Sequence, residues 1–462
     1  MTRDTGPVPA AVRGVNRSLY SAFRTGAFLL ALSVCLPAIS AEQPEDRAAV
    51  IRDKIMPEVA RLRGLDFTSP VPVRNVTQQD VADYVRKTMD EEATPAEVRG
   101  AQKILAYLGL IPAGADLREL LVGAYSQQIA GYYDDRAKAF SIVTDSAMPP
   151  EVESLTIAHE LTHALQDQRF DLAALREAAR DNDDFALALM ALAEGDASDI
   201  MLRYATRTYP RGAGPPKDFS KLVSLSTGAA SIPSLPMFLS QNILFPYSYG
   251  SRFVAELALR EGDSAINAAF LDPPLSTEQI MNSDKYLARD DPFIVDMPDL
   301  TPRLPRGWQR LEQTPLGQFN LGLYLTNTVG GYGIDPLIAP WKGDTMAAYA
   351  GPNEDDFFFI YYSTWDTPEA ALAFAFVYRK ALEMRFGDLT VVLDRPPATN
   401  WTRGGSLYFL RRSGCDVFCV ERVPREFAAA VLIGVEDSPK YPLGQVLGAS
   451  GVRPGEPTPN SN

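Results

Sequence analysis

Two histidines occur in the 462-residue chain, and both lie in one stretch, Ala158-His159-Glu160-Leu161-Thr162-His163-Ala164-Leu165. On a helix, residues four apart share a face one turn along, so both imidazoles point at one spot, which Glu160 reaches from the side. This His-Glu-x-x-His spacing suits a metal: two neutral imidazoles hold zinc while Glu160 takes a proton from the water that zinc activates. Leu155, Ile157 and Ala158 upstream, with Leu161, Thr162, Ala164 and Leu165, leave the stretch uncharged, as a helix buried beside a metal requires. Two ordinary histidines on a surface helix would need no such flank.

The elements around this stretch follow from periodicity and turn chemistry. Residues 131–143 read as a hairpin with its turn at Asp134-Asp135-Arg136, and 151–170 as the helix carrying the histidines. A second long helix is expected over 185–207. It opens with nine apolar residues, Phe185 to Ala193, and then reaches Glu194. A carboxylate there must be paired, metal-bound or at the helix's exposed edge, because burying it alone is costly. Glu177, in polar surroundings, is the weaker ligand candidate. Upstream, helices are expected over 45–65, 95–108 and 117–128, a short strand over 71–76, and a further helix capped by Thr77 with Asp80 at its third position. Downstream, strands at 357–363, 389–393, 407–410 and 417–420, with helices at 367–385 and 424–432, suggest a small α+β layer beside the helical part.

The motif His159-Glu160-Leu161-Thr162-His163, with Glu194-Gly195-Asp196-Ala197 downstream, resembles the zincin metallopeptidases of the gluzincin type. The run continuing through Ala164-Leu165-Gln166-Asp167-Gln168 is similar to a group of secreted zincin-like proteins, and the resemblance extends in outline over 120–440. It implies a zinc held by His159, His163 and Glu194, with Glu160 as general base and Gly195 allowing close approach to the His159 helix. Tyr247 in Tyr247-Ser248-Tyr249-Gly250 matches the segment of aminopeptidase N-like members that carries a catalytic tyrosine; the other reading of Tyr247 and Tyr249 is packing. The hairpin strand is either the edge along which an extended substrate pairs or an ordinary core hairpin. Thermolysin-like members place an Asp four residues after the ligand glutamate. Ser198 stands there, which leaves Asp199, Asp196 and Asp167 as candidates to orient a ligand histidine. The metzincin pattern is excluded, since it wants Gly at 166 and His or Asp at 169, where this chain has Gln166 and Arg169. The segment 273–280 also resembles the secreted group, but Met281-Asn282-Ser283 stands where a histidine is expected.

Hydrophobic content of 46%, charged content of 22% and a net charge of −14 describe a globular protein with no basic stripe for nucleic acid. Arg13, Arg17 and Arg24 precede an apolar run over 27–36 and the small residues Ala38, Ser40 and Ala41, the pattern of a cleaved secretory signal, with a lipoprotein signal at Leu32-Ser33-Val34-Cys35 or an uncleaved anchor as the alternatives. The run is short for a membrane span, so no stable span is expected after cleavage. Cys415 and Cys419 would then remain, expected as a disulfide, with a two-thiol metal site as the weaker alternative. The expectation is an α+β protein: signal peptide (1–40), largely helical zincin-like core with a small edge sheet (41–312), C-terminal α+β domain (313–440) and flexible tail (441–462). Its expected role is a periplasmic or secreted zinc metallopeptidase acting on peptide or protein substrates. The alternative is a catalytically weak or inactive zincin-like binding or envelope-assembly protein.

Overall fold

A computed structural model of the chain describes residues 48–126, 131–144, 150–208, 235–436 and 438–449. The expected signal segment lies outside these residues. A π turn (Ile51–Ile55) leads into α1 (Met56–Arg63), followed by β1 (Val73–Val76), α2 (Gln78–Glu92), α3 (Pro95–Tyr107) and α4 (Leu117–Ser126). The expected hairpin is present as β2 (Gly131–Asp134) and β3 (Ala139–Val143). Then come α5 (Pro150–Phe170), α6 (Leu172–Ala178), α7 (Asp183–Thr208), α8 (Met237–Glu261), α9 (Asp263–Leu271), α10 (Thr277–Met281) and α11 (Ser283–Leu287). The remainder runs β4 (Phe293–Val295), β5 (Gln309–Thr314), α12 (Gly317–Val329), α13 (Ile334–Ile338), β6 (Trp341–Ala350), β7 (Phe357–Trp365) and α14 (Pro368–Arg385). It closes with β8 (Thr390–Arg395), β9 (Ala398–Arg403), β10 (Ser406–Ser413), β11 (Asp416–Pro424), α15 (Ala428–Glu436), β12 (Lys440–Pro442) and α16 (Leu443–Ala449).

The chain is therefore an α+β protein with a mainly helical first part and a sheet-based second part. Local chemistry accounts for several element starts. Thr77 and Asp80 form a reciprocal capping box at α2, and Thr94 and Glu97 form one at α3, where Pro95 sits at the first helical position. Each such cap stabilises its helix by about 1 kcal/mol.

A small sheet has the order β1-β3-β2, with β1 parallel and β2 antiparallel to β3, so β2 is an outer strand. The large sheet runs β12-β4-β6-β7-β11-β10-β9-β8, and β5 pairs with the far end of β6. Its centre is apolar on both faces. Tyr361 and Phe359 of β7 lie in the core shared with α12 and α14, while Phe358 and Ile360 face the core shared with α15. This explains why β7 reads as a continuous apolar run rather than an alternating one. The central neighbour β6 escapes sequence reading because Lys342, Gly343, Asp344 and three alanines give it little strand propensity. The sheet also reaches back to β4 and β5, so β5 spans the expected boundary at 312–313, and β12 and α16 continue ordered chain past 440.

One expectation is corrected. Cys415 and Cys419 are both free thiols. Cys415 lies in the β10–β11 turn, whereas Cys419 is buried within β11 opposite Leu410. Four residues along an extended strand separate two Cα atoms by about 13 Å. A disulfide needs less than about 7 Å. Among the described residues, no helix is long and apolar enough to cross a membrane.

Candidate metal centre

The helix α5 is buried from Thr156 through Asp167, and α7 is buried continuously from Leu187 through Ala197. Two helices that are apolar on most sides must pack against one another and against further cover, here β2, α1 and α8. Gly195 faces α8 and not α5, correcting the expected close approach to the His159 helix. A Cβ at Gly195 would sit 2.3 Å from the Gly250 carbonyl oxygen, and one at Gly250 would sit 2.0 Å from that of Ala191. The α7 and α8 backbones are thus in direct contact, and Gly250, three residues beyond Tyr247, is what lets them meet.

This packing brings His159, His163 and Glu194 together. His159 Nε2 lies 3.0 Å from Glu194 Oε2 and 3.2 Å from His163 Nε2, and His163 Nε2 lies 3.5 Å from Glu194 Oε1. Bonds of 2.0–2.1 Å to a tetrahedral ion place neighbouring ligand atoms about 3.3 Å apart. The three donors therefore already stand near the edges of one tetrahedral face, and the buried His159–His163–Glu194 group could hold a metal ion. Its charge state agrees. Burial pushes the Glu194 carboxyl up, but the His163 charge and the histidine hydrogen bonds outweigh it and bring the group down to about 2. Burial pushes His163 down, yet Glu194 outweighs it and raises the imidazole to about 9. Burial lowers His159. A metal would replace the proton shared by His163 and Glu194, so binding would release it.

Glu160 is not part of that triangle. Its Oε2 accepts the Tyr133 backbone N–H at 2.7 Å, while Oε1 is buried without a hydrogen-bond partner among the described residues. Burial, partly offset by His163, pushes its carboxyl up to about 8. Tyr133 clamps the hairpin to α5 a second time through its hydroxyl, which donates to Asp167 at 2.8 Å. Lys138 Nζ meets the same carboxylate at 2.7 Å. Residues 160 and 167 are two turns apart on one helix face, so one tyrosine of the outer strand spans both.

Tyr247 stands beside the centre: its ring lies 6.3 Å from the His159 ring, at 30° to it. It sits inside α8, ten residues past the helix's first residue, Met237. The three carboxylates considered for orienting a histidine have other partners. Asp167 holds the hairpin, Asp199 pairs with Arg203 at 2.8 Å, and Asp196 meets the amide of Gln166 at 2.9 Å. It is Gln166 that faces His163, with Oε1 2.9 Å from Nδ1. Arg63 of α1 pairs with Asp196 at 2.8 Å behind it. Neither Gln166 nor Arg63 was singled out for this role from sequence. A signal for Arg63 exists, because the buried stripe Ile51, Ile55, Val59 places residue 63 next in its four-residue step. Glu177 pairs with Arg180, away from the centre. The 273–280 segment acts as a joint, since Thr277 donates to Asp184 at the start of α7 and accepts from Phe319 N–H of α12.

Comparison with known proteins adds little to this geometry. Residues 305–432, within the sheet-based part, match a domain of unknown function, DUF8575. No curated protein matches the chain. A solved structure from Chloroflexus aurantiacus, described as a hydrolase candidate with a novel fold, aligns with a TM-score of 0.39 at 16% identity. The alignment covers 59% of this chain and 96% of that one.

Proposed function

We propose that this protein is an exported zinc-dependent peptidase of the gluzincin type, with a zincin-like core, that hydrolyses peptide bonds in peptide or protein substrates. One observation carries the reading. Glu194, 35 residues along the chain and on another helix, meets both histidines at ligand spacing, while Glu160 keeps an oxygen outside that set. Two histidines and a glutamate form a known open ligand set for zinc. Bound there, zinc would supply a Lewis acid that polarises a scissile carbonyl and makes water acidic.

The remaining steps belong to the chain's own groups. Glu160 Oε1 takes a proton from the attacking water and passes it to the leaving nitrogen, and burial makes this carboxylate a stronger base than a surface one. Tyr247 is the candidate donor to the developing oxyanion. The outer strand β2 is tied to Glu160 through the Tyr133 N–H, and the part of its outer edge beyond that bond is the candidate line for an extended substrate running past the carboxylate.

A second reading, a binding or envelope-assembly protein without turnover, draws on one observation. His159, Glu160, His163 and Glu194 are each at most 4% exposed, as in a closed metal site. The test is zinc content and cleavage of an unfolded protein substrate, in the wild type and in Glu160→Gln. The peptidase reading expects about one zinc per chain in both proteins. It expects turnover in the wild type that falls on the order of 10²–10⁴-fold in the variant. Zinc without wild-type turnover supports the second reading, and a folded chain that takes up no zinc rejects both.

A further inference from the structure

Arg63 is an unusual occupant of its position. It closes the buried stripe Ile51, Ile55, Val59 that runs from the π turn into α1, is 1% exposed, and stands where an apolar side chain would complete the packing. Its Nε reaches Asp196, which is itself fully buried, and its Nη1 and Nη2 have no hydrogen-bond partner among the described residues. Buried ion pairs rarely stabilise a fold more than apolar residues of the same size would. What the pair touches next is therefore informative. Asp196 Oδ2 accepts from Gln166 Nε2 at 2.9 Å, and the Ala193 carbonyl accepts from the same nitrogen at 3.0 Å. Both partners are acceptors, so that atom must be the amide nitrogen, and the oxygen Oε1 must face His163 Nδ1. An acceptor at Nδ1 keeps the proton there, so the proton a metal displaces is the one on Nε2, the nitrogen turned toward His159 and Glu194.

We propose that Arg63 is a positioning residue of the metal centre: through Asp196 it locks the Gln166 amide, which holds His163 in the Nδ1–H tautomer with Nε2 directed at the metal. The proposal rests on the metal-binding reading of His163. It makes the first helix, more than 90 residues upstream of the histidines, part of the metal-site framework. A partner of this kind sets ring orientation and basicity, and its loss weakens metal binding by on the order of 10–100-fold.

The deciding experiment uses the double substitution Arg63→Met with Asp196→Leu, which buries no charge and should match or exceed the wild type in thermal stability. The full chain has two imidazoles, so selective ¹⁵N-histidine labelling reports each tautomer, with His159→Asn to assign them. Zinc alone is titrated against a chromophoric chelator. The expected result is a metal-free His163 that, once deprotonated at alkaline pH, is a single Nδ1–H tautomer in the wild type and a mixture in the double variant. Zinc affinity in the double variant should fall on the order of 10–100-fold. Gln166→Met, which keeps the ion pair, should give the same two changes, and Arg63→Lys should restore most of the wild-type behaviour. An unchanged tautomer with unchanged affinity in either Arg63→Met/Asp196→Leu or Gln166→Met overturns the proposal. Should the wild type bind no zinc, the peptidase reading fails while the metal-free tautomers still decide this one.

Discussion

Two carboxylates at the centre are asked to do different work, and their surroundings already separate them. Glu194 is held low by the histidines it touches, whereas Glu160 is raised by burial and has one oxygen uncommitted. Glu194→Gln should therefore abolish tight zinc binding, measured as metal retained through dialysis against a weak chelator. Glu160→Gln should keep the metal and lose turnover. Tyr247→Phe separates the two readings of that ring. A donor to the oxyanion predicts a fall in kcat on the order of 10²-fold with KM little changed, whereas a packing ring predicts unchanged kcat. Steady-state kinetics on a single fluorogenic peptide distinguishes these outcomes.

At the scale of elements, the site depends on how closely helices approach and on what pins their ends. Because Gly250 would place a Cβ 2.0 Å from the Ala191 carbonyl, Gly250→Ala should force α7 and α8 apart. The expected loss is about 1–3 kcal/mol, seen in urea unfolding, with weakened zinc binding because Glu194 rides on α7. The start of α7 is pinned by Asp184. Burial pushes its carboxyl up to about 7, against hydrogen bonds from Thr277 and with help from the Asp344 charge. A carboxyl raised in the folded state contributes stability that is fully present below its ordinary 3.8 and is lost as pH rises through about 7. Asp184→Asn should therefore flatten the decline of Tm between those pH values. A decline as steep as in the wild type would remove Asp184 as its source.

Across the whole molecule, the helical and sheet-based parts are joined by a buried polar knot. Glu421 of β11 accepts from Tyr378 at 2.7 Å and Tyr107 at 2.9 Å, and pairs with Arg385 at 3.0 Å. Arg385 also donates to the Tyr107 carbonyl of α3 and to the Tyr324 hydroxyl of α12. Every strong partner is satisfied, so the knot specifies one docking of α3 on the sheet. Arg385→Met leaves the Glu421 charge buried and should cost about 3–5 kcal/mol in denaturant unfolding. Arg385→Met with Glu421→Gln should recover part of that loss, and the difference measures the stranded charge.

The two candidate ligand histidines, their helix, the hairpin before it and Glu194 were all legible in the chain, because each rests on short-range pattern. Four-residue spacing, a turn between apolar runs and a carboxylate ending an apolar stretch need no tertiary information. The same holds for the caps at Thr77 and for β7, whose apolar run is long enough to stand alone. The strand β6 was not legible: its alanines and Asp344 become strand only because β7 pairs along one side and β4 and β5 along the other. Nor could sequence say which way Gly195 faces, that Cys415 and Cys419 lie too far apart along a strand, or which polar group holds His163. Asp167, Asp196 and Asp199 were equivalent on paper. The fold gave the first to the hairpin and the third to Arg203, and set Gln166 between the second and the histidine. Local pattern determined which side chains could do chemistry. The packing of helices distant in sequence decided which of them stand within bonding distance, because hydrogen bonds and backbone contacts depend on separations in space that no spacing along the chain encodes.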